Sequence, residues 1–384
     1  MERKGVTKRQ HYVPQMILRN FSGNDATTSL IVLSSGKRVA EAALNRQCYA
    51  DYFYGEDQVV ERTFAREEAK ISSILRDLSR ESLEALGDDD IRALIFFVHY
   101  QHARTRAAAE SLSNFLEAFT KNMLRGTATL NNDSELAEAV DAVRIRFTAQ
   151  NERIWQAAKT TPLLYDLDIR FLVTSRAQGF VIGDHPVVAY NQFAEHHPIL
   201  SRYPTSRGIA LKGLQLFMPL SPSVTLAIFD PSTYEYDGKL VTGVGPRDVG
   251  FLNAMQAVNA LECLFFHEQR AEEAALEALL ATRRNHPSPF EKSVSTSAMR
   301  RPDDGTISQF VVVKHPDIRV GARLSCVRTT DKHSYLDYEG PTIPIRSPEL
   351  VEFTERYGEH LEEEVKRGRA ARGIVAASDA EGTS

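Results

Sequence analysis

Apolar positions recur with helical spacing through the first 160 residues and in shorter, strand-like runs after that. Over residues 59–82 the apolar side chains lie three, four and seven positions apart, which predicts one amphipathic helix. The same spacing predicts helices over residues 90–119 and 134–158, with a polar linker at 124–133 before the second of these. We therefore predict that residues 1–160 are mainly helical.

A short helix and a hairpin are predicted near the start of the chain. Residues 11–22 have an amphipathic pattern, and Pro14 suits a first helical turn because its missing N–H has no partner there anyway. Residues 30–33 and 38–40 predict two paired strands joined by a turn at 34–37.

Runs of β-branched and aromatic residues predict strands in the second part of the chain. The predicted strands are 169–174, 180–182, 214–218, 224–229, 310–313 and 323–327. A long polar loop is predicted at 192–208, and helices are predicted at 246–269 and from there to about residue 284.

This order of elements predicts an α+β fold, in which a mostly helical N-terminal half packs on a mixed or antiparallel sheet with further C-terminal helices. We expect a helical region at 1–160 and an α+β region at 161–367. The Ala-, Gly-, Ser- and Glu-rich composition of residues 368–384 predicts a disordered tail.

The composition is that of an ordinary globular protein. The 384 residues are 42% hydrophobic and 25% charged, so the chain is long enough to bury a large core. A formal net charge of −5 excludes a global basic field for nucleic acid and leaves a local basic groove open. Three widely spaced cysteines fit neither a disulfide framework nor a zinc ribbon, which predicts a reducing, cytoplasmic location. No apolar run approaches the ~18 residues of a membrane span, and no signal peptide is expected.

Several short motifs occur in an order that resembles the HYVP-type family of uncharacterised prokaryotic proteins, DUF4238. They are Gln10-His11-Tyr12-Val13-Pro14-Gln15 with Leu18-Arg19-Asn20-Phe21, then Tyr54, then Gln101 with Arg104 and Thr105, then Phe180-Val181-Ile182-Gly183-Asp184-His185-Pro186, then Pro219-Leu220-Ser221-Pro222, and last Leu252-Asn253. The resemblance covers about residues 8–270 and implies no established activity. Its associations imply a context of stress response or phage defence.

The chain departs from the family pattern at two of these motifs. The resemblance implies Ser-Asp-Asn-Pro where this chain has Gly183-Asp184-His185-Pro186, and it implies proline after Thr105, where Arg106 stands. If the serine or asparagine were essential for chemistry, activity in this chain would be in doubt.

His11 and Asp184 are the candidate catalytic residues. The ordinary pKa of histidine lies near neutrality, so His11 suits acid–base catalysis, although it would equally suit a packing histidine bonded to the backbone. Asp184 leaves the end of an apolar strand, where catalytic or ligand-binding carboxylates are common, although it would equally suit an Asx-type turn.

The candidate binding residues are two arginines and three amides. Arg19 and Arg104 would clamp a phosphate or carboxylate, or would pair with a structural carboxylate. The candidate amides are Gln15, Gln101 and Asn253. Glu61 and Glu68 lie seven positions apart on one predicted helix and are candidate supporting carboxylates, for which a solvated rim is the favoured alternative.

Several familiar site types are excluded. The chain has no Walker loop, no Gly-x-Gly-x-x-Gly and no Gly-x-Ser-x-Gly elbow, and its histidines lack zinc-site spacing. A carboxylate with a histidine would still suit Mg²⁺ or Mn²⁺.

We therefore expect a cytoplasmic nuclease-like or phosphodiesterase effector that acts on a nucleic acid or nucleotide. The alternative is a non-catalytic binding or sensor module, whose polar cluster is a structural network. The enzyme hypothesis requires that His11, Arg19, Arg104 and Asp184 line one open cleft. Pairing of these side chains in a closed interior favours the alternative.

Overall fold

The fold was analysed in a computed structural model. The residues that it describes are 7–56, 58–131, 133–144, 149–175, 177–202, 208–286, 289–290, 293–300, 307–314, 316–330 and 343–381. Within this part of the chain the elements form an α+β fold with mixed and antiparallel sheets, which confirms the predicted class.

The helices fall into an N-terminal group and a C-terminal group. They are α1 (Gln15–Arg19), α2 (Val59–Ile74), α3 (Arg80–Glu84), α4 (Asp88–Ala103), α5 (Arg106–Asn131), α6 (Ser134–Ala142), α7 (Ala149–Thr160), α8 (Gln192–His196), α9 (Pro246–Asn259), α10 (Glu273–Asn285) and α11 (Pro348–Glu381). Short 3₁₀ helices occur at Leu44–Arg46, Thr161–Leu164, Leu200–Arg202 and Glu268–Arg270.

Most of the described strands lie after residue 160. They are β1 (Arg9–His11), β2 (Thr27–Val32), β3 (Arg38–Ala43), β4 (Tyr49–Asp51), β5 (Asp168–Val173), β6 (Ile182–Gly183), β7 (Val188–Tyr190), β8 (Gln215–Ser221), β9 (Val224–Phe229), β10 (Tyr234–Tyr236), β11 (Val241–Gly243), β12 (Cys263–Phe266), β13 (Ser293–Arg300), β14 (Ile307–Lys314) and β15 (Val327–Thr329).

Two larger sheets carry the core. A five-stranded sheet has the order β11-β5-β9-β8-β7 and is antiparallel except for the parallel pair β11–β5. A four-stranded antiparallel sheet has the order β3-β2-β12-β6. The predicted hairpin at the start of the chain is β2–β3, and β12 and β6, which come much later in the sequence, extend it. The pairs β1–β4, β10–β15 and β13–β14 form separate two-stranded ribbons.

The helical half packs directly on the five-stranded sheet. One hydrophobic cluster contains Leu18 and Leu94 from the helices together with Phe171 and Leu226 from the sheet, all of them at most 1% exposed. A core that is shared in this way couples the two halves through burial of apolar surface.

The helix predicted over residues 90–119 is wrong as one element, because it is divided into α4 and α5. The Thr105 hydroxyl accepts the Ala108 N–H at 3.2 Å, in the manner of a helix N-cap, and Arg104 closes α4. The apolar stripe continues across this break, so periodicity did not reveal it.

The polar linker predicted at 124–133 is also wrong, since α5 continues to Asn131. The hydroxyls of Thr127 and Thr129 donate to the carbonyls of Met123 and Arg125, at 3.1 and 2.9 Å, so these polar side chains are satisfied within the helix.

Four other predicted elements end or divide differently. The helix at 59–82 is divided into α2 and α3, and the helix at 134–158 into α6 and α7, with residues 145–148 outside the described part. The helix predicted to reach residue 269 ends at Asn259, because β12 follows and pairs with β2 and β6. The predicted loop at 192–208 contains α8 and a 3₁₀ turn, and its residues 203–207 lie outside the described part.

The last helix, α11, includes the segment after residue 368 that the composition marks as a tail. Disorder of that tail stays a prediction. No helix in the described part of the chain has the length and apolarity that a membrane crossing requires.

Candidate functional site

The ribbon of β1 and β4 fixes the position of His11. His11 lies opposite Tyr49 in the antiparallel register. The neighbouring residue Gln10 points inward and is fully buried, accepting the Tyr54 N–H at 2.5 Å and donating to the Gly55 carbonyl at 3.0 Å. Because side chains alternate along a strand, the buried Gln10 turns His11 toward the other face.

His11 ends β1, and Gln15 and Arg19 lie one turn apart on α1, so the helix predicted over residues 11–22 is confined to Gln15–Arg19 and His11 precedes it. The Gln15 Nε2 lies 3.1 Å from Nε2 of His11 and 3.5 Å from Nδ1, and Arg19 donates to Gln15 Oε1 at 3.4 Å. The spacing of four residues places Gln15 and Arg19 on one face of the helix, and the hydrogen bond of Gln15 joins that face to His11. The opposite face of α1 is buried through Ile17 and Leu18.

Helix α2 supplies the opposite wall of an open cleft of about 380 Å³. The described residues that line the cleft are His11, Gln15, Met16, Arg19, Glu61, Phe64, Ala65, Glu68, Ala69 and Ser72. Both predicted carboxylates therefore face the cleft together with His11 and the predicted binding residues Gln15 and Arg19. The cleft is mainly polar at its rim and apolar where Phe64 enters the core.

Burial shifts the pKa of two cleft residues in opposite directions. Burial lowers the pKa of His11, and this is partly offset by a hydrogen bond to the Asn45 backbone and by the negative charge of Glu68. Burial raises the pKa of Glu61, and the like charge of Glu68 raises it further. Both shifts move the proton equilibrium toward the uncharged form, relative to the same groups in water.

Arg104 does not line the cleft; it is buried beneath the wall formed by α2. Its guanidinium donates to Glu68 Oε1 at 2.6 Å and to Gln101 Oε1 at 2.8 Å, and it stacks on the Phe64 ring at 4.5 Å. Gln101 in turn donates to the Tyr12 carbonyl at 2.9 Å. Arg104 and Gln101 thus join α4, α2 and the chain after His11, rather than presenting free donors to a ligand.

Asp184 lies outside the lining of this cleft, among the described residues. Its carboxylate accepts three backbone N–H groups, from Leu261 at 2.7 Å, Glu262 at 2.8 Å and Cys263 at 3.2 Å. Burial raises the pKa of Asp184 to about 6, and the three hydrogen bonds oppose that rise. The side chain closes the turn between α9 and β12, and the geometric expectation that it shares a cleft with His11 is not met.

Asn253 belongs to a row of buried amides on α9 that form hydrogen bonds with the backbone on both sides of Asp184. Its amide accepts the Val181 N–H at 2.9 Å and donates to the Gly179 carbonyl at 2.9 Å. Gln256 likewise accepts the Gly183 N–H at 2.9 Å and donates to the Pro186 carbonyl at 2.8 Å. Asn259 donates to the carbonyls of residues 185 and 187 at 2.7 and 3.0 Å. The last two residues were not predicted, although amides spaced by three on an apolar helix mark one inward face.

His185, where the family pattern implies asparagine, contacts another motif residue. Its Nδ1 lies 2.6 Å from the Thr105 hydroxyl, and its ring stacks on His102 with centroids 5.4 Å apart. The same hydroxyl accepts the Ala108 N–H at the start of α5. The substitution therefore ties the start of α5 to the end of β6.

Residues 9–270 match a family described as "Protein of unknown function (DUF4238)". The chain belongs to the DUF4238 family. The matched span contains every candidate site residue of this DUF4238 protein, from His11 to Asn253. No curated protein and no solved structure matches the chain.

The described part of this DUF4238 protein contains no group of three or more His, Cys, Asp or Glu side chains arranged to hold a metal ion. Asp184, a candidate catalytic carboxylate, uses its oxygens on backbone N–H groups. Cys48, Cys263 and Cys326 are free thiols.

Proposed function

We propose that the cleft between α1 and α2 is the active site of a phosphodiesterase-type hydrolase that acts on a small nucleotide. The observation that carries the proposal is that His11, whose pKa is lowered by burial, and Glu61, whose pKa is raised by burial, line one open cleft. Acid and base groups whose pKa values are tuned by burial are the usual equipment of a hydrolytic site.

The proposed reaction uses four side chains. His11 accepts a proton from water while the water oxygen bonds to phosphorus, and the bond between phosphorus and the leaving oxygen breaks. Protonated Glu61 gives its proton to that leaving oxygen. Arg19, which is exposed at the rim, binds the non-bridging oxygens. Gln15 holds the His11 ring in place.

The charges of the cleft favour a compact substrate over a long nucleic acid. Glu61 and Glu68 line the same wall, and one of the two nearby arginines, Arg104, is already paired with Glu68. The protein as a whole carries a formal charge of −5. A long polyanion would meet these carboxylates, whereas a single phosphodiester is able to sit against Arg19.

Turnover assays with a matched set of variants test this function. Cyclic dinucleotides, short RNA and short DNA would each be incubated with the protein, with and without Mg²⁺ or Mn²⁺. We expect cleavage of a small nucleotide that falls by about 10²-fold or more in His11→Ala and Glu61→Gln. Glu67→Gln and His360→Ala change exposed residues outside the cleft and serve as controls. Turnover that survives both cleft substitutions would reject the assignment.

A binding or sensor module is the second candidate, and one observation favours it. Arg104, Gln101, Asp184 and Asn253 form closed interior networks rather than an open site. In that case the cleft binds a ligand without turnover, and His11→Ala lowers stability without changing ligand affinity. A role of this cleft in phage defence or stress response belongs to the same proposal, and a phage challenge of cells that express His11→Ala would test it.

A further inference from the structure

An open groove of about 580 Å³ runs along α4, and the described residues that line it include none of those that line the cleft between α1 and α2. Helix α4 contributes one stripe of side chains, at spacings of three and four: Asp88, Ile91, Arg92, Ile95 and Phe96. The volume of the groove falls within the roughly 300–1,000 Å³ of sites that hold small molecules. It is therefore large enough to hold a ligand of its own.

The opposite wall of the groove is formed by Leu164, Tyr165 and Leu167. The Leu167 N–H donates to the Leu164 carbonyl at 3.1 Å, which holds this segment in a tight turn. Asp166, between them, does not line the groove and pairs with Arg346 at 2.7 Å. The wall is thus fixed by the fold before any ligand arrives.

The floor of the groove is apolar and one rim is aromatic. Ile95, Leu164 and Leu167 are at most 8% exposed and form the floor. Tyr165 is 57% exposed, more than any other large apolar side chain in the described part of the chain. Its ring contacts that of Phe96, with centroids 6.3 Å apart and planes tilted by 56°. An exposed ring beside an apolar floor leaves apolar surface that a ligand would remove from water.

The other end of the groove is acidic. Asp88 lies two helical turns, or about 12 Å, from Phe96. Arg92, between these two positions, pairs with Asp89 at 2.7 Å, whereas Asp88 forms no ion pair with any described residue. Three aspartates in the first turn of α4 face this single arginine. Their excess negative charge outweighs the partial positive charge of about half a unit at the start of a helix.

We propose that this groove binds a small organic amine with an apolar body. The ammonium group lies at Asp88, whose carboxylate has no cationic partner among the described side chains. The apolar body lies along Ile91 and Ile95 and ends against the two rings. The separation of about 12 Å along the helix matches a chain of roughly eight carbons or an arylalkyl group. The groove shares no described lining residue with the cleft, so this site does not depend on the proposed hydrolase activity.

Probes that share one chain and differ in the head group test the charge of the site. Octylammonium, octanoate and 1-octanol would be titrated separately into the whole protein, with the isoleucine and methionine methyl groups followed by NMR. We expect saturable shifts at Ile91 and Ile95, with octylammonium binding most tightly. Met16, which lines the other cleft, reports binding there and should not shift.

Two carboxylate variants show whether Asp88 selects the cation. Asp88→Asn should weaken octylammonium binding by about two- to fivefold, as expected for loss of an exposed ion pair, and should leave 1-octanol binding unchanged. Glu81→Gln removes an exposed carboxylate of α3 outside the groove and should change neither affinity.

A series of chain lengths tests the apolar body without any variant. From butylammonium to octylammonium we expect the affinity to rise about two- to fourfold for each added methylene, because each is buried on the floor of the groove. The proposal would be overturned by octanoate that binds as tightly as octylammonium, by an octylammonium affinity that Asp88→Asn leaves unchanged, or by the absence of saturable shifts at Ile91 and Ile95.

Discussion

Arg104 donates to Glu68 Oε1 across 2.6 Å, and only 3% of its side chain is exposed. This ion pair fixes the carboxylate wall of the cleft to α4. Glu68 thereby has two tasks, since it compensates a buried cation and raises the pKa of its neighbour Glu61. The candidate site and the packing of the helical half depend on the same side chain.

Removal of Glu68 should cost far more stability than removal of a neighbouring glutamate. Glu68→Ala leaves the Arg104 guanidinium without its charge partner, and we expect a loss of about 3 kcal/mol in the free energy of unfolding. Glu67→Ala, at an exposed position next to it, should change that free energy by less than about 0.5 kcal/mol. Urea unfolding of both variants measures the difference, and equal losses would contradict the structural role given to Glu68.

Restoring the serine of the family pattern at position 183 should destabilise this protein. A Cβ on Gly183 would lie 2.9 Å from the Ala260 Cβ, which is closer than carbon atoms pack. We expect Gly183→Ser to lose about 1–3 kcal/mol, as overpacked cores do. The double variant Gly183→Ser with Ala260→Gly should recover part of that loss. An unchanged urea midpoint for Gly183→Ser alone would be inconsistent with the contact.

Asp184 should make stability fall as the pH rises. Burial raises its pKa to about 6 from an ordinary value of 3.8, so the folded state holds this proton more tightly than the unfolded chain does. Its contribution is therefore fully present below pH 3.8 and is lost as the pH rises through 6. The free energy of unfolding of the wild type minus that of Asp184→Asn should decrease over this window in chloride buffers. A constant difference would show that folding does not change the pKa of Asp184.

His99 should have the opposite effect over nearly the same window. Burial lowers its pKa to about 4 from 6.5, so the folded state favours the neutral ring. The contribution of His99 is present above pH 6.5 and is lost as the pH falls through 4. The free energy of unfolding of the wild type minus that of His99→Leu should therefore increase from pH 4 to 6.5 in phosphate-free buffer. A decrease would contradict the buried, neutral state of His99.

The sequence predicted the fold class and one half of the candidate site. Gln15 and Arg19 follow from helical spacing on α1, and Glu61 and Glu68 follow from it on α2, because i, i+4 and i, i+7 positions share a face. His11 was expected on the same short helix, but it ends strand β1. The meeting of these two helices depends on Gln10, whose buried hydrogen bonds turn His11 outward. No local pattern contains that information.

For the remaining candidates, residue type alone does not determine whether the side chain faces the cleft or the interior. Residue type allows both a ligand-binding and a structural role for Arg104 and Asp184. The carboxylate that pairs with Arg104 lies 36 residues away in the chain, and the three N–H groups that bind Asp184 lie 77 to 79 residues away. The break between α4 and α5 was missed because Thr105 caps a helix inside an uninterrupted apolar stripe. Such pairings are tertiary, and they override local propensity.

The central claim is that His11 is the base and Glu61 the acid of the cleft. The pH dependence of kcat/KM for a cyclic dinucleotide tests this claim most directly. We predict a bell-shaped profile with its maximum on the acid side of neutrality, because the acid is a carboxyl whose ordinary pKa is 4.5 and the base is a histidine held below 6.5. His11→Gln should remove the ascending limb and Glu61→Gln the descending limb, while Glu67→Gln keeps both. A profile whose two limbs persist in the cleft variants would contradict the claim.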